Sequence, residues 1–423
     1  MLVRLDLPPG ERQREFLDYL NSALRTRVTA YSGSAGRLDD GRFESTVTGP
    51  FNLGTATVPL TWRLVRASDG GAVEALEASG AEGAPPESEW QVAALEFVNS
   101  VLAATVAARR SPHFRRLLFF YIGEQLDGEY WLPGFRFAPV LPDDDQPSLM
   151  NAERVVACDM NVTAVDDHHA SALADEAARR HAARLSLLLN HGLYRPEQVF
   201  RWVLPRTGDT PASESQRHAV VFSSPKAAIT AMPAKGQICP LGKYGGSLTA
   251  RYRYAGTPLS LPREARRILR YVDSAAPEVR LAFDRGARLY HVGAVIGSQF
   301  PSAGLAYRVA ALDAISQAGG SKKVLTEFIK RYATPSPDLD RLVEYLWGSI
   351  RSAHFHGGEF PLGEFSPVRF FDPLMDSLEI TQRQLHYFCY ELTREAIVRW
   401  LDQELAASGD ADDLDDSSPN ADV

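Results

Sequence analysis

Residues 338–361, DLDRLVEYLWGSIRSAHFHGGEFP, decide how the second half of the chain is read. Leu339, Leu342, Val343, Leu346 and Ile350 recur at the three- and four-residue spacing of one helix face. Gly357 and Gly358 suit a left-handed C-cap, and Pro361 prevents continuation. The spacing predicts a helix from Asp338 to His356 whose last turns crowd Arg351, His354 and His356. The same texture extends outward on both sides. Phe283, Ala287 and Tyr290, then Leu305, Val309 and Leu312, then Val324, Leu325, Phe328 and Tyr332 share helical offsets, as do Leu385, Phe388, Cys389 and Leu392. An all-α region of about five helices is expected from about Pro262 to Leu405, with domain limits at 266–406.

Upstream the texture differs. Residues 10–26 read as a helix, followed by RFESTVTG, ATVPLTWRLVRA and AVEALEASG, which alternate in the strand manner between Gly and Asp turns. GAEGAPPESE reads as a loop, with Ser88 placed to cap a helix from Trp90 to Arg109. LLFFYIG, EYWLPGFRFAPV and VVACDMNVTAV read as strands. DDHHASALADEAARRHAARLSLLLNH reads as a long helix capped by Asp166 or Asp167 and closing near Gly192. Short strand-like pieces (FRWVL, HAVVF, YRYAG) and the loop KGQICPLGKYGGS occupy 200–260. The expected fold class is an α+β N-terminal region of two subdomains, 1–112 and 113–265, followed by an all-α helical bundle. Residues 407–423 are expected to be a disordered acidic tail.

The 45 basic and 53 acidic residues give a formal charge of −8. The last 16 residues hold six Asp and no basic residue, so removing six negative charges from −8 leaves −2. A nucleic-acid partner must therefore be met by a local basic patch. Three scattered cysteines without a CxxC exclude a disulfide framework or a cysteine zinc site and fit a reducing cytoplasm. The N-terminus lacks the unbroken apolar stretch of a signal peptide, and no run approaches 18 apolar residues. A soluble cytoplasmic protein with no membrane partner is expected.

Basic side chains at a helix C-terminus have a purely structural explanation, since they complement the negative end of the helix dipole. The segment Arg351-Ser352-Ala353-His354-Phe355-His356-Gly357-Gly358 has a second one. It resembles the Arg-x4-6-His motif of the HEPN superfamily, specifically its ApeA-like branch. Two other stretches match the bare spacing, Arg184 to His191 and Arg285 to His291, but only the third ends a late helix with a Gly pair behind it. GLAYRVAALDAIS, KKVLTEFIKRY and ELTREAIVRWL resemble neighbouring helices of that family, so the likeness covers roughly 277–405.

The resemblance implies a HEPN-like helical bundle and a metal-independent endoribonuclease, working as a homodimer with two motifs forming one composite site and with no cofactor. It implies a role in antiviral defence or growth arrest, with the N-terminal region sensing an unknown trigger. The chemistry is reasonable in itself. RNA brings its own nucleophile, the 2′-hydroxyl, so the protein must supply a proton acceptor, a proton donor and positive charge. His356 would serve as base or acid, because imidazole titrates near neutral pH, and Arg351 would hold the scissile phosphate through its planar fork. Ser352 stands where nuclease members often carry Asn, Asp or His and is a weaker orienting group. On an ideal α-helix His354 lies about 60° around the axis from Arg351 and His356 about 140°. Helix geometry thus selects His354, while the resemblance selects His356. The alternative is a non-catalytic HEPN-like RNA- or nucleotide-binding and dimerisation module.

Arg263, Arg266, Arg267 and Arg270, then Lys322, Lys323, Lys330 and Arg331, are positions able to track RNA or to form a solvated face. Tyr271 and Tyr332 fit base stacking or core packing equally. Asp166, Asp167, His168 and His169 are metal-type ligands, but neighbours on a helix diverge, and a capped helix start with solvated His is the reading taken. KGQICPLGKYGGS lacks GxxxxGK[ST] and GxGxxG, and Cys239 has no recognisable partner His.

Overall fold

The computed structural model describes the chain except residues 8–9, 55, 69–70, 108–109, 141–152, 196–199, 203–218, 222–228, 246–256, 298, 318–324, 363, 366–375 and 408–423. The YRYAG stretch, Lys322, Lys323 and the acidic tail lie outside the described residues. The chain divides into two compact units, Met1–His113 with Val162–Leu173, and Phe114–Asn161 with Ala174–Val423.

The first unit holds β1 (Leu2–Leu7), α1 (Glu11–Arg27), β2 (Ser32–Arg37), β3 (Phe43–Asn52), β4 (Thr57–Arg66), β5 (Val73–Gly80) and α2 (Glu87–Ala107). The strands form an antiparallel sheet in the order β1-β5-β4-β3-β2. In β4 the alternation of Val58, Leu60, Trp62 and Leu64 on one face produces the buried side of that sheet. Phe16 and Leu20 of α1 and Trp90, Phe97 and Val98 of α2 join it in one apolar core. Phe51, Trp62 and Phe97 pack with ring centroids 5.0–5.1 Å apart. α2 has the length and apolarity of a membrane span, yet Trp90, Ala94, Phe97, Val98 and Val101 are spent on this core. The helix begins at Glu87, so Ser88 lies inside its first turn instead of capping it. β2, SGSAGR, reads as turn in sequence and is exposed throughout; it exists because its backbone pairs in full register with β3.

Three elements run across the division between the units: β6 (Ser111–Ile122), β9 (Glu153–Ala164) and α3 (Asp167–Leu189). Asp166 is the cap of α3, accepting the His169 backbone N–H at 2.7 Å. Its carboxyl lies below the usual range because that bond and nearby cations outweigh the opposing effect of burial. His169 Nε2 meets Asp18 at 3.4 Å, and among the described residues no cluster of metal-type ligands forms.

In the second unit β7 (Tyr130–Leu132) and β8 (Phe135–Pro139) form a hairpin turned at Gly134, whose φ of 78° needs glycine. With β6 and β9 they make a sheet in the order β6-β9-β8-β7. Arg136 is buried there between Glu129 and Asp159, at 2.5 and 2.7 Å. Glu129 also accepts the Gly236 N–H at 2.5 Å, so the Gly-rich loop is a structural strap over a buried ion cluster. β10 (Phe200–Trp202) pairs with β11 (Ala219–Val221).

Helices follow: α4 (Ala265–Ser274), α5 (Pro277–Ile296), α6 (Pro301–Ser316), α7 (Leu325–Tyr332), α8 (Leu339–Glu344) and α9 (Asp376–Ala407). The architecture is therefore α+β followed by helices. α5 and α6 approach closely at Gly293 and Gly304, where a Cβ on Gly293 would lie 2.6 Å from the Gly304 carbonyl oxygen. Phe283, Tyr290, Leu305, Val309, Leu312, Phe328, Leu346, Ile397 and Trp400 are all buried. Arg308 is buried among them with its guanidinium over the Tyr290 ring at 4.2 Å and the Tyr390 ring at 3.4 Å, donating to the Tyr290 hydroxyl at 2.6 Å and to Asn190 Oδ1 at 3.1 Å.

Candidate functional site

The expected single α-helix from Asp338 to His356 is in fact two segments. α8 ends at Glu344, and Tyr345–Gly357 continues as a π-helix. Buried Val343, Leu346 and Ile350 satisfy either winding, so apolar spacing alone does not separate them. What distinguishes the wider form is its tertiary surroundings. Arg351 Nη2 meets Asp313 Oδ2 of α6 at 3.0 Å, and Phe355 packs edge-on against Tyr307 of the same helix at 5.6 Å. Gly358, at φ 66°, closes the end in the left-handed conformation anticipated for it, its N–H reaching the His354 carbonyl while the Glu359 N–H reaches that of Ala353, both at 3.1 Å. The second of these bonds spans one residue more than a Schellman cap on an α-helix would.

This winding changes how His354 and His356 lie around the axis from Arg351. A π-helix bonds residue i to i+5 and advances by roughly 80° per residue, so His356 falls about 40° from Arg351 while His354 lies about 120° away. Arg351 and His356 are thus one turn apart on one stripe, and Ser352 is the next position round. π winding is rare, and where it occurs it is mostly a single-turn bulge; this segment runs for 13 residues.

The environments divide the same way. His354 is half-buried, its Nδ1 lies 3.2 Å from the Glu359 carbonyl oxygen, and its ring sits edge-on to Phe360 at 5.0 Å. It holds the helix end in place. His356 and Ser352 are exposed, and neither side chain makes a hydrogen bond or ion pair among the described residues. Arg351 stacks over Trp347 at 4.5 Å and spends one donor on Asp313, leaving other edges of its five-donor fork available. Asp313 is the site residue that sequence reading missed. It lies in GLAYRVAALDAIS, a stretch noted for its acidic position, but its pairing with a residue 38 positions away has no local signature.

The other two Arg-to-His spacings differ from it: Arg184 is buried and Arg285 exposed, and the histidines of both are partly buried and held by hydrogen bonds. Arg184 bonds Asp273 and Asp284, each at 2.7 Å; His191 Nδ1 lies 2.9 Å from the Leu189 carbonyl oxygen; and His291 pairs with the Ser186 hydroxyl at 2.9 Å. Of the RNA-tracking candidates, Arg263 is exposed, and Arg266, Arg267 and Arg270 are half-buried on α4 around its apolar Ile268, Leu269 and Val272. Lys330 pairs with Asp340 at 2.6 Å. Arg331 lies over the Tyr332 ring at 5.3 Å. Tyr332 is itself buried, and Tyr271 donates to Glu404 at 3.5 Å. Tyr332 therefore offers no open stacking face, whereas Tyr271 is half-buried.

No protein-family model, curated protein or solved structure matches the chain.

Proposed function

We propose that the protein is a HEPN-like endoribonuclease effector that cleaves RNA at a composite site formed when two copies bring their π-helices together. The observation that carries this reading is the π winding of Tyr345–Gly357, which sets Arg351 and His356 five residues apart on one side of the helix, with the imidazole exposed and uncommitted. In the proposed step one His356 takes the proton from a 2′-hydroxyl, the 2′-oxygen attacks the adjacent phosphorus, and the partner copy's imidazolium protonates the departing 5′-oxygen. The products are a 2′,3′-cyclic phosphate and a 5′-hydroxyl, so protons and bonds balance without a redox partner. Arg351 neutralises charge on the phosphorane, Ser352 donates to a phosphate oxygen, and Asp313 positions Arg351. His354 acts on the fold of the helix end instead of on the substrate.

A homodimer is supported by apolar surface beside these residues, since Trp347 is 44% and Phe355 45% exposed. A cytoplasmic setting, a defence or growth-arrest role and a trigger sensed by the N-terminal region belong to the same proposal and rest on the family resemblance. The Arg351–Asp313 pair favours one second reading, a non-catalytic RNA-binding or dimerisation module in which the arginine is already neutralised.

The test is incubation of the protein and its His356→Ala variant with mixed cellular RNA in EDTA, with product ends mapped. Cleavage leaving cyclic phosphates, reduced at least ~10²-fold in the variant, supports the nuclease. Equal cleavage by both proteins refutes the assignment of His356. RNA binding without cleavage, together with equal toxicity of both proteins on expression, selects the second reading.

A further inference from the structure

The second unit contains a cleft of about 990 Å³ bordered by α3, β6 and α5, with Tyr194 and Arg195 beyond α3. None of Arg351, Ser352, His354 and His356 lines it. Its floor is apolar, with Phe119 and Leu193 buried and Val292, Val295 and Ile296 half-buried on α5. Its rim is basic. Arg179, Arg180, Arg195 and Arg288 all border it.

The arrangement of charge is specific. Arg179 Nε meets Asp175 at 2.7 Å, and Arg195 pairs with the other oxygen of the same carboxylate, so one acid holds two guanidinium groups in place. Arg180 and Arg288 have no carboxylate partner among the described residues. With Glu176 counted beside Asp175, four cations face two anions, leaving two positive charges over an apolar floor. His291 lines the cleft as well, fixed through Nδ1 by the Ser186 hydroxyl. Burial pushes its pKa down to about 4, so it is a neutral hydrogen-bonding group there.

A cleft that only completed the fold would be filled by side chains or have its arginines neutralised, because uncompensated like charges repel. Guanidinium groups bind phosphate through paired donors. An apolar floor needs a ligand body to cover it, and the volume lies at the upper end for small-molecule sites, of roughly 300–1,000 Å³. We propose that this cleft binds an organic phosphate of nucleotide size, its phosphates on Arg180 and Arg288 and its apolar or aromatic body against Phe119, Val292 and Val295. The site stands apart from any cleavage by Arg351 and His356, so either proposal can fail alone.

The experiment uses the full chain without RNA. Melting is followed with ATP, GTP, NADP⁺, adenosine and inorganic pyrophosphate, each at about 1 mM, in the range where Kd values up to that concentration shift the transition, and calorimetry is run on those that do. At least one organic phosphate is expected to stabilise the protein, with adenosine and pyrophosphate each at least about tenfold weaker. The paired substitution Arg180→Ala and Arg288→Ala should weaken that ligand at least about tenfold without lowering the unliganded melting temperature. Val292→Trp, which narrows the floor and leaves the arginines, should do the same. The proposal is overturned if no organic phosphate binds, if pyrophosphate binds as well as the best of them, or if affinity survives both variants.

Discussion

Arg184 on α3 and Arg351 on the π-helix carry the same charge and both precede a histidine by the spacing of one motif, yet the first side chain is 2% exposed and the second 29%. Arg184 is taken out of water and held by Asp273 and Asp284, tying α3 to α4 and α5. His181, one turn before it, is stacked on Phe135 at 3.9 Å with no partner for its Nδ1. Burial first, then the neighbouring Arg184 and Arg180, pushes its pKa down to about 3. In the π-helix the guanidinium has one half-exposed carboxylate and the imidazole of His356 has none. A buried ion cluster is costly to disturb and unavailable to a ligand; an exposed pair contributes little to stability and remains free for chemistry.

This contrast yields four graded outcomes. The largest is structural: Arg184→Met should cost about 3 kcal/mol, because it leaves the largely buried Asp284 without its guanidinium, while the half-exposed Asp273 can turn to water. Urea unfolding reads it, and a loss below about 1 kcal/mol would mean that Arg184 is not the pin between these helices. Next, His356→Ala should lower RNA cleavage by at least ~10²-fold, about 2.7 kcal/mol in barrier, with an unchanged urea midpoint. A matching loss of stability would place His356 with the interior set.

Third comes acid sensitivity. The folded pKa of His181 lies below its unfolded value of about 6.5, so its contribution is fully present above that value and is lost as pH falls toward about 3. Between pH 7 and 5 this amounts to about 2 kcal/mol. The unfolding free energy of wild type should therefore drop by that much more than that of His181→Phe over this interval; parallel curves would show that the ring is hydrated in solution. The smallest effect belongs to Asp313→Asn, which should change stability by less than about 1 kcal/mol and by still less in high salt, where exposed charges are screened. A salt-independent loss of several kcal/mol would mean that Arg351 is a structural residue like Arg184.

Much of this division was legible in the chain. The alternation of Val58, Leu60, Trp62 and Leu64 and the helical spacing of Leu305, Val309 and Leu312 place their own faces, because side-chain direction repeats every two residues in a strand and every 3.6 in an α-helix. Caps were partly legible: Gly358 has the left-handed conformation its type suggests, whereas the choice between Asp166 and Asp167 needed the observed bond to His169. β2 was not legible, since Ser32–Arg37 has turn composition and becomes a strand only beside β3.

The sequence by itself determined most of the order of elements, the apolar faces and the crowding of Arg351, His354 and His356 at one helix end, because these follow from local periodicity and residue chemistry; the preference for His356 over His354 came from the family resemblance. Only the tertiary structure decided the π winding that aligns those two residues, the pairing of Arg351 with Asp313, the burial of Arg184 and the basic rim of the cleft by α3 and α5. Each of those depends on groups brought together from distant parts of the chain, and the electrostatic and packing energies between them act through space and leave no trace in the spacing of neighbouring residues.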